Sequence, residues 1–286
     1  MPNRPVNGHS ESNRRKAAPE KFYVIPMKGL KRRLKEGETL SGCWLNLGSS
    51  VTAEIAGQAG FDWLLIDLEH GAGTEQEALH QLQAIEHTPA ASVVRVESCE
   101  RQRIHRVLDL GAEGIMCPRI NNGGEARKFA SALRYPPDGN RGVARIVRAS
   151  GFGRHFSDYY RDQNENILGV MQVETIEVLE HLNEVAAIDA VDVLFVGPAD
   201  LSMALGVFGQ FDHPEFKKAL GATVSAARNA GKAAGILLSN PDDYTVYQDM
   251  GMQMIACGAD TTFVEHGARA IVDKLKAAGK ISNTKR

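Results

Sequence analysis

Three short runs follow apolar segments of the chain: Asp67-Leu68-Glu69-His70-Gly71, Gln172-Val173-Glu174 and Gly197-Pro198-Ala199-Asp200-Leu201-Ser202. Carboxylates at the ends of neighbouring strands can converge on one hard cation, Mg²⁺ or Mn²⁺, that completes its shell with water and substrate oxygens. A 2-oxo acid suits such a half-filled site, because its carboxylate and keto oxygens chelate a metal that then acts as Lewis acid on the derived enolate. Helix capping is the competing duty for each acid taken singly. Asp200 suits a helix that begins near Leu201, and Glu69 or Thr74 suits the helix after the second apolar run. Glu174 is the poorest cap of the set, since Thr175 stands beside it.

Arg95, within Val93-Val94-Arg95-Val96, is costly in a strand core unless a partner meets it. That partner is either a neighbouring acid or the growing charge of an enolate oxygen. His70 reads as a packing histidine or as a general base. The second role needs an acid on its other ring nitrogen, and Asp109 is the candidate, although its position alone suits a helix surface. Lysine supplies a negative test. None of the apolar runs ends in one, and Lys232 precedes its run, so imine chemistry is not expected. Phosphorylated substrates are disfavoured too, because Leu238-Ser239-Asn240-Pro241 and Cys257-Gly258-Ala259-Asp260 make poor phosphate turns.

Eight apolar runs must position these groups: 42–47, 63–67, 92–96, 114–117, 168–173, 193–196, 234–238 and 254–257. Helical stretches separate most of them. Thr74 with Glu77 forms a capping box, and Gly111 and Gly231 sit where helices end. A repeated strand–helix order over about 250 residues predicts an α/β fold, a closed (β/α)8 TIM barrel with its chemistry at the C-terminal strand ends. An open doubly wound sheet is the competitor, but no glycine-rich turn follows the first run. Those ends carry Trp44, Asp67, Glu69, His70, Arg95, Arg119, Glu174, Asp200 and Ser239. The connection from Tyr135 to Asn166 is long and arginine-rich, and is read as a substrate-side lid.

Composition bounds the rest. The 286 residues are 43% apolar, enough for a full core, and 33 Lys and Arg against 35 Asp and Glu leave a formal charge of −2. No basic field for nucleic acid or an anionic membrane is present, so the expected partner is a small molecule. No run approaches the roughly 20 apolar residues that cross a bilayer. Cys43, Cys99, Cys117 and Cys257 are scattered and read as reduced thiols of a cytoplasmic protein. Residues 1–25 are expected to be a disordered arm, 26–278 a single barrel domain and 279–286 a flexible tail; Glu11, Glu20 and three prolines spoil a presequence helix.

The strings GFDWLLIDLEHG (60–71), VVRV (93–96), RYPPDGNRG (134–142), QVET (172–175), VGPADLS (196–202) and GILL (235–238) together resemble the metal-dependent pyruvate aldolases. That family includes 4-hydroxy-2-oxoheptanedioate aldolases, 2-keto-3-deoxy-L-rhamnonate aldolases and macrophomate synthase. The similarity spans roughly residues 28–277, in order. It implies a barrel of the phosphoenolpyruvate/pyruvate superfamily, a homo-oligomer (trimer or hexamer), a place in aromatic-compound catabolism and a divalent cation, Mg²⁺, Mn²⁺ or Co²⁺. It implies a lyase acting on pyruvate or oxaloacetate and an aldehyde. By position, Glu174 and Asp200 resemble the metal ligands, Arg95 the enolate-stabilising arginine, and His70 with Asp109 the acid–base dyad. Asp67 and Glu69 resemble supporting acids, and Gln172, Gly197, Pro198 and Ala199 line the pyruvate end. Trp44, Arg148 and Leu237 resemble the lining of the aldehyde half. Departures fall in the long connection, at Ala144-Arg145-Ile146-Val147 and Gly151-Phe152-Gly153, and bear on the electrophile. Macrophomate-type cyclisation and acyl-CoA cleavage on the same barrel are the alternatives, and a catalytically dead binding protein would lack a metal ligand.

Overall fold

The computed structural model describes residues 27–280. The expected arm over 1–25 lies outside the described residues, as does 281–286 of the expected tail. Eight strands pair in parallel in chain order: β1 (Leu40–Leu45), β2 (Trp63–Asp67), β3 (Ala91–Arg95), β4 (Gly114–Cys117), β5 (Leu168–Val173), β6 (Val193–Val196), β7 (Ala233–Leu238) and β8 (Met254–Ala259). β8 returns to β1 and closes the barrel. Every expected strand is present, with bounds within two residues of the apolar runs.

The helices are α1 (Leu30–Lys35), α2 (Ser50–Gln58), α3 (Glu75–Glu86), α4 (Arg101–Leu110), α5 (Gly123–Leu133), α6 (Phe156–Asn166), α7 (Ile176–Glu180), α8 (Leu182–Ala186), α9 (Pro198–Ala204), α10 (Pro214–Asn229), α11 (Tyr244–Met250) and α12 (Asp260–Ala277). Thr74 and Glu77 form the expected capping box on α3, and Gly111 ends α4 in the left-handed region at φ 102°. Thr175 caps α7 by accepting from the Val178 amide. Asp200 is not a cap: α9 starts at Pro198, which puts Asp200 in its first turn.

Alternation along the strands builds two cores. Trp44, Trp63, Leu65, Val93, Met116, Val170 and Phe195 fill the barrel, while Leu64, Ile66, Val94, Ile115 and Leu194 face the helices. Trp63 fits inside because β1 offers Gly42 opposite it, where a Cβ would sit 2.1 Å from the indole. α1 plugs the N-terminal end of the barrel: Leu30 and Leu34 join the inner core, and buried Lys31 donates to the Ile167 carbonyl at 3.1 Å and pairs with Asp192 at 3.2 Å.

The long connection corrects one expectation. It runs from the C-terminal end of α5 to the start of β5, so chain direction puts it on the N-terminal face, opposite the strand ends that carry the acids. Its contacts agree: Arg148 donates to the carbonyl of Leu110, the last residue of α4, at 2.7 Å and pairs with Glu86, the last residue of α3. It is therefore no lid over its own barrel mouth. It contains a 3₁₀ turn at Arg148–Ser150 and α6, where Phe156 and Tyr160 stack one helical turn apart. The thiols need a second correction. Cys99 and Cys117 are disulfide-bonded, because the segment after β3 returns beside the end of β4 and brings their Cα atoms to 6.0 Å, leaving Cys43 and Cys257 free. Among the described residues no helix is long and apolar enough to cross a membrane.

Just before β4, Glu113 accepts from the amides of Lys28 at 2.5 Å and Ser92 at 3.4 Å, yet burial pushes its carboxyl up to about 7. A raised folded pKa contributes stability that is complete below the unfolded value near 4.5 and is lost as pH rises through about 7. Glu113→Gln should therefore flatten the stability profile between those limits, by about 3 kcal/mol, in urea denaturation at pH 5 and pH 8.

Candidate active site

The site assembles around one carboxylate. Asp67 ends β2 with a fully buried side chain that accepts five hydrogen bonds. Oδ1 takes the amides of Glu69 at 3.0 Å and His70 at 3.2 Å, which curls the chain directly after the strand. Gly71 completes that curl, since a Cβ there would meet the Asp67 carbonyl oxygen at 2.1 Å. Oδ1 and Oδ2 also take Nε and Nη2 of Arg95 at 2.9 and 2.7 Å, the parallel two-point grip that a guanidinium favours. Asn46 donates to Oδ2 at 2.8 Å.

Arg95 ends β3 beside Asp67 because β2 and β3 pair those two residues in register. Burial opposes its charge, but Asp67 and Glu69 outweigh that and hold its pKa above the ordinary arginine value. Its remaining Nη1 edge lies 3.0 Å from Glu69 Oε2 and 3.5 Å from Gln172 Oε1, and the guanidinium carbon stands 5.6 Å over the Trp44 ring. The structure thus meets the first reading of this arginine, a neighbouring acid: Asp67 binds one edge, and Glu69 pairs with the other at the cleft.

Across the barrel, Glu174 follows β5. Its Oε1 accepts from the Arg119 amide at 2.6 Å and its Oε2 from Gln172 Nε2 at 2.9 Å. Arg119 reaches it in the left-handed region, φ 52°, which a non-glycine residue seldom adopts outside such constrained places. Gly197 lets the next strand approach, because a Cβ there would sit 2.8 Å from Glu174 Oε2. Burial raises the Glu174 carboxyl, and the charges of Asp200 and Glu69 raise it further, against the Arg119 amide. Burial likewise raises Glu69, against the pull of Arg95. The helix geometry of α9 leaves the amides of Ala199 and Asp200 without partners in its first turn.

Among the described residues no group of three or more His, Cys, Asp and Glu side chains makes a complete ligand set. Glu174 and Asp200 nevertheless fit a cation: burial and then the Asp200 charge raise the Glu174 carboxyl, so a positive charge beside it would be welcome. The cleft above has a volume of about 400 Å³ and is lined by Trp44, His70, Arg95, Gln172, Asp200 and Leu237 among others, with no lysine. His70 stands at the rim with its side chain two-thirds exposed and Nε2 3.9 Å from Glu69 Oε2.

The sequence of the HpcH/HpaI aldolase/citrate lyase family matches residues 40–267. The chain belongs to that family. Within it, a 4-hydroxy-2-oxo-heptane-1,7-dioate aldolase of Salmonella paratyphi B is 40% identical over 253 residues, 88% of this chain and 96% of its own. The crystal structure of an HpcH/HpaI family protein from Burkholderia cenocepacia J2315 superposes with TM-score 0.83 at 36% identity, covering 87% of this chain and 99% of that one. Macrophomate synthase superposes with TM-score 0.79 at 23% identity, covering 96% and 99%, a likeness of fold.

In this HpcH/HpaI family chain, Trp44, His70, Arg95, Gln172, Gly197, Pro198, Ala199, Asp200 and Leu237 line one cleft, with Asp67 and Glu174 directly behind it. Two expected site residues are elsewhere. Asp109 is the penultimate residue of α4, at the N-terminal end of the barrel, where it accepts from Arg141 at 2.9 Å and not from His70. Arg148 is held at the same end by Glu86. Sequence reasoning missed Asn46, which braces Asp67, and Asp260. Asp260 follows β8 and accepts from the Asn46 amide at 2.8 Å and from Thr52 Oγ1 at 2.7 Å. The signal for Asp260 was there, an acid at a strand end, in a turn weighed only for phosphate.

Asp67→Ala would leave the Arg95 guanidinium buried with Glu69 alone. The expected loss is about 3–5 kcal/mol in urea unfolding, the penalty for breaking a buried pair. A loss under 1 kcal/mol would show that Asp67 does not hold the site together.

Proposed function

We propose that this protein is a carbon–carbon lyase that cleaves, and in reverse forms, 4-hydroxy-2-oxo acids through a pyruvate enolate. The observation that carries this reading is Arg95: a buried guanidinium anchored on one edge by Asp67, with its other edge, paired with Glu69, at a cleft that Asp200 lines and Glu174 backs. The reading fits a barrel of the phosphoenolpyruvate/pyruvate superfamily and the aldolase names of its relatives.

Glu174 and Asp200 would hold a divalent cation (Mg²⁺, Mn²⁺ or Co²⁺), which when bound would supply Lewis-acid stabilisation to the 2-oxo acid. The chain supplies the rest. The first-turn amides of α9, at Ala199 and Asp200, receive the substrate carboxylate, as helix N-termini receive anions. Arg95 Nη1 donates to the 2-oxo oxygen, where negative charge grows as the C3–C4 bond breaks. His70, at the rim, takes the proton of the 4-hydroxyl, the aldehyde leaves, and the enolate is reprotonated at C3. Trp44 and Leu237 bound the aldehyde half. Decarboxylation of oxaloacetate passes through the same enolate and would use Arg95 alike, but needs no base at a 4-hydroxyl. Macrophomate-type cyclisation is supported by a likeness of fold alone. For acyl-CoA cleavage, Arg95 and His70 are the basic groups of the lining, a poor grip for a diphosphate.

The protein is proposed to work as a homo-oligomer. After its first turn α12 leaves the barrel, and residues 263–280 are exposed, with Phe263, Val264, Ile271, Val272 and Leu275 among them. Such a face is covered by another copy more readily than by water. Asp109 and Arg148, remote from their own cleft, act in catalysis only if an oligomer carries them to a neighbour's.

A pyruvate-release assay with 4-hydroxy-2-oxoheptanedioate and oxaloacetate tests the chemistry. Activity should vanish on chelation and return with Mg²⁺, Mn²⁺ or Co²⁺, and Glu174→Gln should lower it by about 10²-fold or more. Full activity in chelator, or in that variant, would sink the mechanism. For the assembly, Ile271→Asp with Leu275→Asp should reduce the sedimentation mass to that of one chain; an unreduced mass removes α12 from the interface.

A further inference from the structure

The cleft does not end at Leu237. A second chamber of about 280 Å³ adjoins it, and the two share Pro198, Phe211, Leu237, Leu238 and Ser239. The end of β7 divides them: Leu237 points into the barrel with Trp44 and Phe195, while Ile236 and Leu238 face outward. Beyond that divide lies a space between α10 and α11, walled by Leu220, Ile236, Tyr247 and Met250. Cleft and chamber therefore meet at the rim, where the aldehyde half of a 4-hydroxy-2-oxo acid would leave the enolate site.

The charges at the chamber decide what it suits. Its cation, Lys217, is matched by Asp212 at 2.8 Å, and Asp243 adds a second acid to the same lining. The balance is one positive group against two negative ones, which disfavours a terminal carboxylate. Polar and apolar groups share the walls: buried Leu220, Ile236 and Leu238 form an apolar inner side, and Asp212, Lys217 and Asp243 lie on the outer one, so an alkyl chain fits against the inner side.

We propose that this chamber takes the uncharged, apolar tail of the aldehyde half, so that the protein favours alkyl aldehydes over short or ω-carboxylated ones. The proposal rests on the lyase reading above and names the electrophile for the same site. Three substrates separate the possibilities: the pyruvate adducts of propanal (4-hydroxy-2-oxohexanoate), of hexanal (4-hydroxy-2-oxononanoate) and of succinic semialdehyde (4-hydroxy-2-oxoheptanedioate). With three more methylenes to bury, the hexanal adduct should exceed the propanal adduct in kcat/KM by about tenfold or more, and exceed the dicarboxylate as well. Met250→Trp, which fills the chamber, should remove that tenfold preference while lowering kcat/KM for the propanal adduct less than twofold. Should that variant not fold, Val246→Trp, at the exposed mouth, carries the same test. Calorimetric titration of the same adducts supplies a readout that does not need turnover. If none of them is cleaved, the lyase reading fails, while tighter binding of the hexanal adduct, lost in Met250→Trp, still supports the chamber. Equal affinity for the propanal and hexanal adducts, equal losses on both, or a preference for the dicarboxylate overturns it.

Discussion

Everything at the mouth of this barrel leans on the Asp67 carboxylate. Two oxygens receive five donors drawn from three places: the side chain of Asn46 beyond β1, the amides that follow β2, and the guanidinium that ends β3. A carboxylate so saturated has little capacity left for chemistry, so in this structure Asp67 positions other groups. It aims Arg95, curls the segment carrying Glu69 and His70, and ties three consecutive strand ends to one point. The parallel register makes this possible, because Asp67 and Arg95 are direct neighbours across β2 and β3.

Charge is distributed asymmetrically around that point. On one side Arg95 pairs with both Asp67 and Glu69; on the other, burial and the charge of Asp200 raise the Glu174 carboxyl. Such a site offers room for positive charge beside Glu174 and a hydrogen-bond donor at Arg95, the two features on which the proposed enolate chemistry draws. The opposite end of the barrel is closed by α1 and its buried Lys31–Asp192 pair, so the inner core is sealed below and chemistry is confined to the strand ends.

How much was legible beforehand follows from the range of each interaction. The eight strands could be read because their apolar runs are local signals, and Thr74 with Glu77 because a capping box spans only four residues. Arg95, Glu174 and Asp200 were legible as strand-end polar groups that packing does not require. Asp260 escaped although it carries the same kind of signal, because its partners Asn46 and Thr52 lie more than two hundred residues earlier in the chain. The disulfide was illegible for a similar reason: scattered cysteines say nothing about a loop that folds back from Cys99 to Cys117. The segment from Tyr135 to Asn166 misled through its composition. Arginines and aromatics suggested a substrate contact, while chain direction, a helix end leading to a strand start, already placed it on the far face.

The sequence by itself determined the barrel, the polar inventory of its strand ends and the absence of an imine-forming lysine there, because period, caps and residue type act over a few neighbours. Only the tertiary structure decided which of those groups meet: that Asp67 holds Arg95, that Gly197 admits Glu174, that Asp109 and Arg148 stand away from His70, and that the cleft runs on past Leu237. Those outcomes depend on strand register and on which end of the barrel each connection occupies. They are properties of closure, and closure brings together residues that no local stretch of sequence relates.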